Sequence, residues 1–133
     1  MSSHEIKAII ETADRAITNE DFDALMDIYA EDATLLVKPG LAVRGKAAIR
    51  QAFVAIAEHF HHALSVSQGR MEVIEGGDTA LVVMETLLTI GASEDAKGPA
   101  VRRATYVFRK DAEGQWLCVI DNSYGTELLD AAP

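Results

Sequence analysis

The segment from Asp21 to Phe53 constrains the fold more than any other part of this 133-residue chain. Its order predicts a short helix capped by Asp21, a β-strand over 33–37, a turn at 38–40 and a further helix that begins after Gly45. Few folds place these four elements within so short a stretch. The sequence therefore predicts the fold more clearly than it predicts a catalysed reaction.

The remaining elements follow from the spacing of apolar residues. Isoleucines at helical spacing predict a first helix from Ser3 to Asn19, with Ser2 and Glu5 as a capping box, and the third helix is expected to end near His61. The rest of the chain is strand-rich, with strands expected over 64–74, 79–90, 99–110 and 115–124. Three helices followed by an antiparallel meander predict one α+β domain over residues 1–133.

Charge and composition restrict the partners and the setting. The chain has 21 acidic and 12 basic residues, a formal net charge of −9. Because such a surface repels phosphate groups, we expect neither nucleic acid nor an anionic membrane as a partner. No apolar stretch is long enough to span a bilayer, and the single cysteine, Cys118, cannot form an intramolecular disulfide. We also expect no leader peptide before the first helix. These features favour a cytoplasmic protein.

The strand over 79–90 is apolar on both faces, although helices are expected to cover only one face of the sheet. One set of alternating positions is Ala80, Val82, Met84, Thr86, Leu88 and Ile90, and the other is Leu81, Val83, Glu85, Leu87 and Thr89. We therefore expect a second copy of the chain to cover the open face, in a homodimer built sheet to sheet.

Several short motifs resemble those of a known superfamily. They are Asp21–Leu25 with Tyr29–Thr34, then Gly45–Arg50, Gly114–Trp116 and Val119–Gly125. Through them the chain resembles the nuclear transport factor 2-like superfamily, in particular its SnoaL-like and ketosteroid-isomerase-like branch. The resemblance implies a cone, a curved antiparallel sheet with three N-terminal helices packed on its concave face, whose mouth admits ligands. Members include isomerases, cyclases, dehydratases, hydrolases and non-catalytic association or transport domains.

The ketosteroid isomerase site does not carry over to this chain. That family has a tyrosine on the first helix, an aspartate base just after the first strand and a second acid on the penultimate strand. These positions fall at Ala13, at Val37 or Lys38, and at Tyr106. Because none of them matches, we do not expect ketosteroid isomerisation by that mechanism.

Glu85 is the first candidate for a catalytic group. It lies among apolar residues on one face of the strand over 79–90, and the resemblance implies that this face lines the cone. A buried carboxyl group has a raised pKa and can act as a general base. The alternatives are an ion pair with Arg102 or Arg103 on the next strand, or a place in the dimer interface.

Further candidates lie on the last two strands. Tyr106 is assigned to the cavity face, where its hydroxyl could donate to a ligand oxygen; the alternative is a core tyrosine with a backbone partner. Asn122 and Tyr124 alternate with Ile120 and are expected to close the pocket near its mouth. The same alternation predicts that Asp121 points away. For Asn122 the alternative is a hydrogen bond that holds the sheet edge.

Two more side chains are candidates for ligand binding. His59 lies at the end of the third helix and is expected to reach the cavity mouth, and Lys38, beside the first turn, could attract an anionic ligand. Surface solvation is the alternative for both. His59 and His62 are three residues apart, as metal ligands on a helix can be, but the sequence has no third ligand at a recognised spacing. We therefore expect no metal.

These observations support two hypotheses. In the first, the protein binds a small apolar carbonyl or hydroxyl compound and isomerises, cyclises or hydrates it without a cofactor. Glu85 is then the acid and base, and Tyr106 with Asn122 orients the carbonyl or hydroxyl group. In the second, the protein is a non-catalytic ligand-binding or association domain, as the missing isomerase residues and the two-sided apolar strand suggest. Both hypotheses stay open at this point.

Overall fold

A computed structural model describes residues 4–91 and 100–130. Its helices and strands are α1 (Glu5–Thr18), α2 (Phe22–Met26), β1 (Tyr29–Lys38), β2 (Leu41–Arg44), α3 (Lys46–His59), β3 (Leu64–Gly76), β4 (Thr79–Ile90), β5 (Ala100–Lys110) and β6 (Trp116–Asn122), followed by a 3-10 helix (Gly125–Leu129). Ser2 of the predicted capping box and Pro99 of the predicted third long strand lie outside the described residues.

The six strands form one curled sheet in the order β2-β1-β6-β5-β4-β3. The predicted α+β class is confirmed. Neighbouring strands pair antiparallel, except that β1 and β6 run parallel. The helices cover the inner face of the curl, with α1 against β3 and α3 against β1. Within the described ranges no helix has both the length and the apolar composition needed to cross a lipid bilayer.

Side-chain caps explain where the first two helices begin. His4 caps α1, since its Nδ1 accepts a hydrogen bond from the backbone N–H of Ile6 at 3.1 Å. The Oδ1 atom of Asp21 likewise accepts from Ala24 at 3.3 Å and caps α2, as predicted. The apolar spacing of Phe22, Leu25, Ile28 and Tyr29 predicts that this helix extends to Tyr29. That prediction is wrong, because Tyr29 already pairs with Cys118 as the first residue of β1.

The core joins each helix to the inner face of the sheet. Its largest fully buried side chains are Ile6 of α1, Leu25 of α2, Ile49 of α3, Val82 of β4 and Phe108 of β5. Burial of such side chains contributes about 1.5–3 kcal/mol each. The three helices are thus held to the sheet by apolar packing.

Strand β4 is apolar on both faces, as the sequence indicates. Ala80, Val82 and Met84 point inward and are buried, whereas Leu81 and Val83 point outward with 39% and 42% of their surface exposed. The helices leave this outer face uncovered.

Strand β6 contains a β-bulge. Phe108 of β5 pairs with Cys118, but its neighbour Val107 pairs with Ile120, so that one extra residue, Val119, lies between the two pairs. An extra residue in a strand exchanges the faces to which the following side chains point. The alternation predicted for the end of β6 is therefore reversed.

Replacement of Gly125 tests the turn that follows β6. Gly125 has φ +53°, and a Cβ atom there would collide with the carbonyl oxygen of Arg103. We expect Gly125→Ala to lower the free energy of unfolding by about 3 kcal/mol, because strain and a backbone collision combine. Gly77 is the control, since its φ is +62° and a Cβ atom there would have nothing within 4 Å; Gly77→Ala should cost about 1 kcal/mol. Equal losses in urea denaturation would contradict this account.

Candidate functional site

A cavity of about 170 Å³ lies between the helices and the inner face of the sheet. This volume is below the roughly 300–1,000 Å³ of sites for drug-sized ligands. Most of the wall is apolar and comes from α1, β1, α3, β3 and β4; it includes Ile17, Leu35, Phe53, Ile56, Leu64 and Leu88. The cavity therefore suits a small and largely apolar molecule.

Polar side chains from four elements converge on one part of this wall. They are Asp14 of α1, Thr86 of β4, Tyr106 of β5 and Asp121 of β6. A smaller pocket of about 40 Å³ also has Asp14, Tyr106 and Asp121 in its wall, and Tyr29 completes the group there. The carboxyl groups of Asp14 and Asp121 thus lie in the same largely apolar environment.

Asp121 is buried and bound to Tyr29. The Tyr29 hydroxyl donates a hydrogen bond to Oδ2 of Asp121 at 2.5 Å, whereas Oδ1 is buried without a partner within residues 4–91 and 100–130. Burial raises the pKa of Asp121 to about 6, although the hydrogen bond from Tyr29 opposes the rise. Asp121 can therefore exchange a proton near neutral pH.

Asp14 is the second carboxyl group of the pair. Burial raises its pKa to about 7, and the negative charge of Asp121 adds to the effect. Its Oδ2 atom has no hydrogen-bond partner in the part of the chain that the structure describes. A cleft between α1 and β3 also reaches Asp14. Beside it lies the side-chain amide of Gln68, whose oxygen and nitrogen are buried without a hydrogen-bond partner in the described part of the chain. Two interacting carboxyl groups titrate as a pair, and here one can hold a proton while the other is ionised.

The structure places Tyr106 on the inner face of β5. Its hydroxyl is 3.5 Å from Oγ1 of Thr86. Burial and the nearby Asp121 raise the pKa of Tyr106 well above its usual value of 10, so that the hydroxyl stays protonated and can donate a hydrogen bond. Its predicted role toward a ligand oxygen stays a prediction.

The predicted position of Glu85 inside the cone is wrong. Residues directly opposite each other in a sheet share a face; Glu85 is opposite Arg103, whereas Tyr106 is opposite Val82 of the core. Glu85 therefore lies on the outer face, where it accepts hydrogen bonds from the backbone N–H, Nε and Nη2 of Arg70 at 3.0, 3.1 and 2.8 Å. These bonds lower its pKa to about 2. Glu85 thus forms an ion pair, but its partner is Arg70 of β3 and not Arg102 or Arg103 of β5, as the alternative had it.

The bulge in β6 also reverses two predicted orientations. Asp121 faces the cavity, and Asn122 faces outward, where its Nδ2 donates to Oγ1 of Thr105 and to the carbonyl of Gly125, both at 3.1 Å. The Oδ1 atom of Asn122 accepts from the backbone N–H of Tyr124 at 3.0 Å. Asn122 thus holds the end of the sheet, which was the alternative to a ligand-binding role.

Tyr124 lines the cavity together with Arg102. The Tyr124 hydroxyl donates to the carbonyl of Val37 at 3.0 Å. The guanidinium carbon of Arg102 lies 4.6 Å from the centre of the Tyr124 ring, a cation–π contact.

His59 and Lys38 do not line the cavity. Both are exposed, and their neighbours Phe60 and Val37 form the wall instead. The His59 ring packs edge-on against the ring of Phe60, and the two ring centres are 4.9 Å apart. His62 contacts Glu20 at 2.9 Å rather than pairing with His59. Within residues 4–91 and 100–130 no group of three His, Cys, Asp or Glu side chains could hold a metal ion.

Sequence reasoning missed Asp14 and assigned Asp121 to the wrong face. A signal for Asp14 was present, because Ile10 and Ile17 lie four residues before it and three after it and so share its helix face. No comparable signal marks Asp121, since its orientation depends on a bulge.

Comparison with known proteins agrees with this fold. A family model, the SnoaL-like domain, matches residues 6–120. The chain belongs to the SnoaL-like family. No curated protein matches the chain.

Solved structures with this fold include three at low sequence identity. An NTF2-like protein of unknown function from Pseudomonas putida is 23% identical, with a TM-score of 0.75 over 88% of this chain and 81% of that one. An NTF2-like protein with a cystatin-like fold from Novosphingobium aromaticivorans is 22% identical, with a TM-score of 0.76 over 88% and 77%. Aln2 from a Streptomyces species is 16% identical, with a TM-score of 0.76 over 95% and 91%. Identities this low establish the fold alone.

Replacement of Asp14 tests the raised pKa. Since the folded-state pKa of about 7 exceeds the ordinary 3.8, this carboxyl contributes stability that is complete at low pH and is lost as pH rises toward about 7. We expect the unfolding free energy to fall between about pH 5 and pH 8 by about 2 kcal/mol more in the wild type than in Asp14→Asn. Urea denaturation at both pH values measures this. The control Asp27→Asn, at an exposed position, should keep the wild-type pH dependence. If Asp14→Asn also had the pH dependence of the wild type, the raised pKa of Asp14 would be refuted.

Proposed function

We propose that this SnoaL-like protein binds a small, largely apolar molecule in the cone and transfers a proton on it, with Asp121 as the base and Asp14 as the acid. The observation that carries the proposal is the pair of carboxyl groups on one wall of an otherwise largely apolar cavity. Burying such groups without full hydrogen bonding is costly, and perturbed carboxyl groups in cavities are typical of catalytic sites.

The arrangement supports proton abstraction next to a carbonyl group. The ionised Oδ1 of Asp121, which has no partner within the described residues, would remove a proton from the carbon beside the carbonyl. Negative charge would then develop on the ligand oxygen, where the protonated Asp14 and the hydroxyl of Tyr106 can donate hydrogen bonds. Return of the proton to another carbon completes an isomerisation; loss of a hydroxyl group, protonated by Asp14, completes a dehydration. These steps use groups of the chain itself.

Deuterium exchange into small cyclic ketones tests the proposal. The wild type, in heavy water, should incorporate deuterium beside the carbonyl, as detected by NMR. Asp121→Asn should slow this exchange at least about 100-fold, because general bases contribute factors of this order. Glu85→Gln is the decisive comparison, since Glu85 lies outside the cavity and its replacement should leave the rate unchanged. Loss of exchange in Glu85→Gln, or none in the wild type, would contradict the proposed chemistry and favour a binding domain.

The pH dependence of that exchange is a second test. The base must be ionised and the acid protonated, so the rate should rise as pH passes about 6 and fall as pH passes about 7. Asp14→Asn should remove the fall at higher pH. A rate that keeps rising to high pH in the wild type would argue against Asp14 as the acid.

We also propose that a second copy of the chain covers the outer face of the sheet. Five apolar residues of this face each have between 39% and 58% of their surface exposed. They are Ile74, Leu81, Val83, Val101 and Ile120. Monomeric proteins rarely leave a contiguous apolar area of this kind uncovered. The same face carries Arg70, Glu72, Glu85 and Arg103, so that a two-fold arrangement can match opposite charges.

Val83→Asp tests this interface. It places a charge beside Leu81 on the outer face, and we expect it to convert a dimer into a monomer because an unpaired carboxylate cannot be buried cheaply. Light scattering coupled to size-exclusion chromatography gives the mass. Leu41→Asp is the control, since Leu41 is equally exposed, at 42%, but lies on β2 at the far edge of the sheet. A monomeric wild type would rule the interface out.

A further inference from the structure

A positive charge lies on the cavity wall, away from the two carboxyl groups. Arg102 is opposite Thr86 across the β4–β5 pair, so its side chain is on the inner face. Among the described residues it is the one basic side chain of the cavity wall, and it is not part of the smaller pocket that Asp14 and Asp121 share with Tyr29. The cavity therefore has an acidic end and a basic end.

Tyr124 positions this charge. Its ring lies 4.6 Å below the guanidinium group of Arg102, and its hydroxyl is bound to the carbonyl of Val37. Stacking on a ring face leaves the edge of the guanidinium available, and that edge offers two parallel N–H donors that match a carboxylate. None of the ion pairs formed within residues 4–91 and 100–130 involves Arg102.

We propose that Arg102 binds a carboxylate group of the ligand, so that the substrate is a small apolar carboxylic acid whose reactive carbon lies at Asp121. This inference rests on the proposed function, because it places the other end of the same ligand. Arg102 and Tyr106 are four residues apart on β5, which separates their Cα atoms by roughly 13 Å. The apolar body of the ligand would lie between the two ends.

The charge of the whole protein makes such a subsite necessary for an anionic ligand. With a formal net charge of −9, the surface repels anions. A carboxylate near the ionised Asp121 would also be repelled, whereas one beside Arg102 lies roughly 13 Å along β5 from Tyr106, the residue opposite Asp121. Arg102 thus selects both the class of ligand and its orientation in the cavity.

Two compounds of the same shape test the subsite by isothermal titration calorimetry at about pH 7: cyclohexanecarboxylate and its neutral amide. We expect the wild type to bind the carboxylate about tenfold more tightly than the amide, as hydrogen bonds to charged groups allow. Arg102→Gln should remove this preference. Arg102→Lys should keep part of it, since lysine retains the charge but not the planar fork, and this variant keeps the test valid if Arg102→Gln does not fold.

Arg103→Gln is the matched control, because Arg103 is the next residue on β5 and faces outward. It should retain the full tenfold preference. A wild type that binds both compounds equally, or an Arg102→Gln variant that still prefers the carboxylate, would overturn the subsite and leave the proton-transfer proposal standing. Failure of the wild type to bind either compound would contradict the ligand-binding cavity, and the subsite with it.

Discussion

The hydrogen bond between Tyr29 and Asp121 is the interaction on which the site depends. It joins the first residue of β1 to the end of β6 in the interior of the cone, across the parallel pair of the sheet. Because the hydroxyl satisfies one carboxylate oxygen, Asp121 can be buried, and within residues 4–91 and 100–130 its other oxygen has no hydrogen-bond partner, as the proposed base requires. The bulge in β6 is what turns Asp121 toward Tyr29.

This arrangement lowers the stability of the folded protein. Asp14 and Asp121 are both buried, and their raised pKa values show that the folded protein disfavours their charged forms near neutral pH. Apolar residues at these two positions would pack without that cost. Proteins retain such strain mainly where function requires it, which supports a chemical role for the pair.

The two faces of the sheet divide the remaining tasks. Inward side chains of β4 and β5 form the core and the wall of the cavity, whereas the outward ones form a largely apolar face that also carries an ion pair, Glu85 with Arg70. A single strand can serve both purposes because its side chains alternate. The proposed partner and the proposed ligand therefore occupy opposite sides of the same strands.

The sequence by itself determined the class of fold, the order of the elements and the two-sided apolar character of β4, because these depend on local spacing and turn residues. It also indicated that Asp14 lies on the inward face of α1, because Ile10 and Ile17 share that face by their spacing. Only the tertiary structure decided which face each strand presents. Glu85 was misplaced because the pairing between β4 and β5 sets its face, and Asp121 was misplaced because one extra residue in β6 exchanges the faces beyond it. Side-chain alternation has a period of two, so a shift of one residue reverses every assignment, and no local pattern records it.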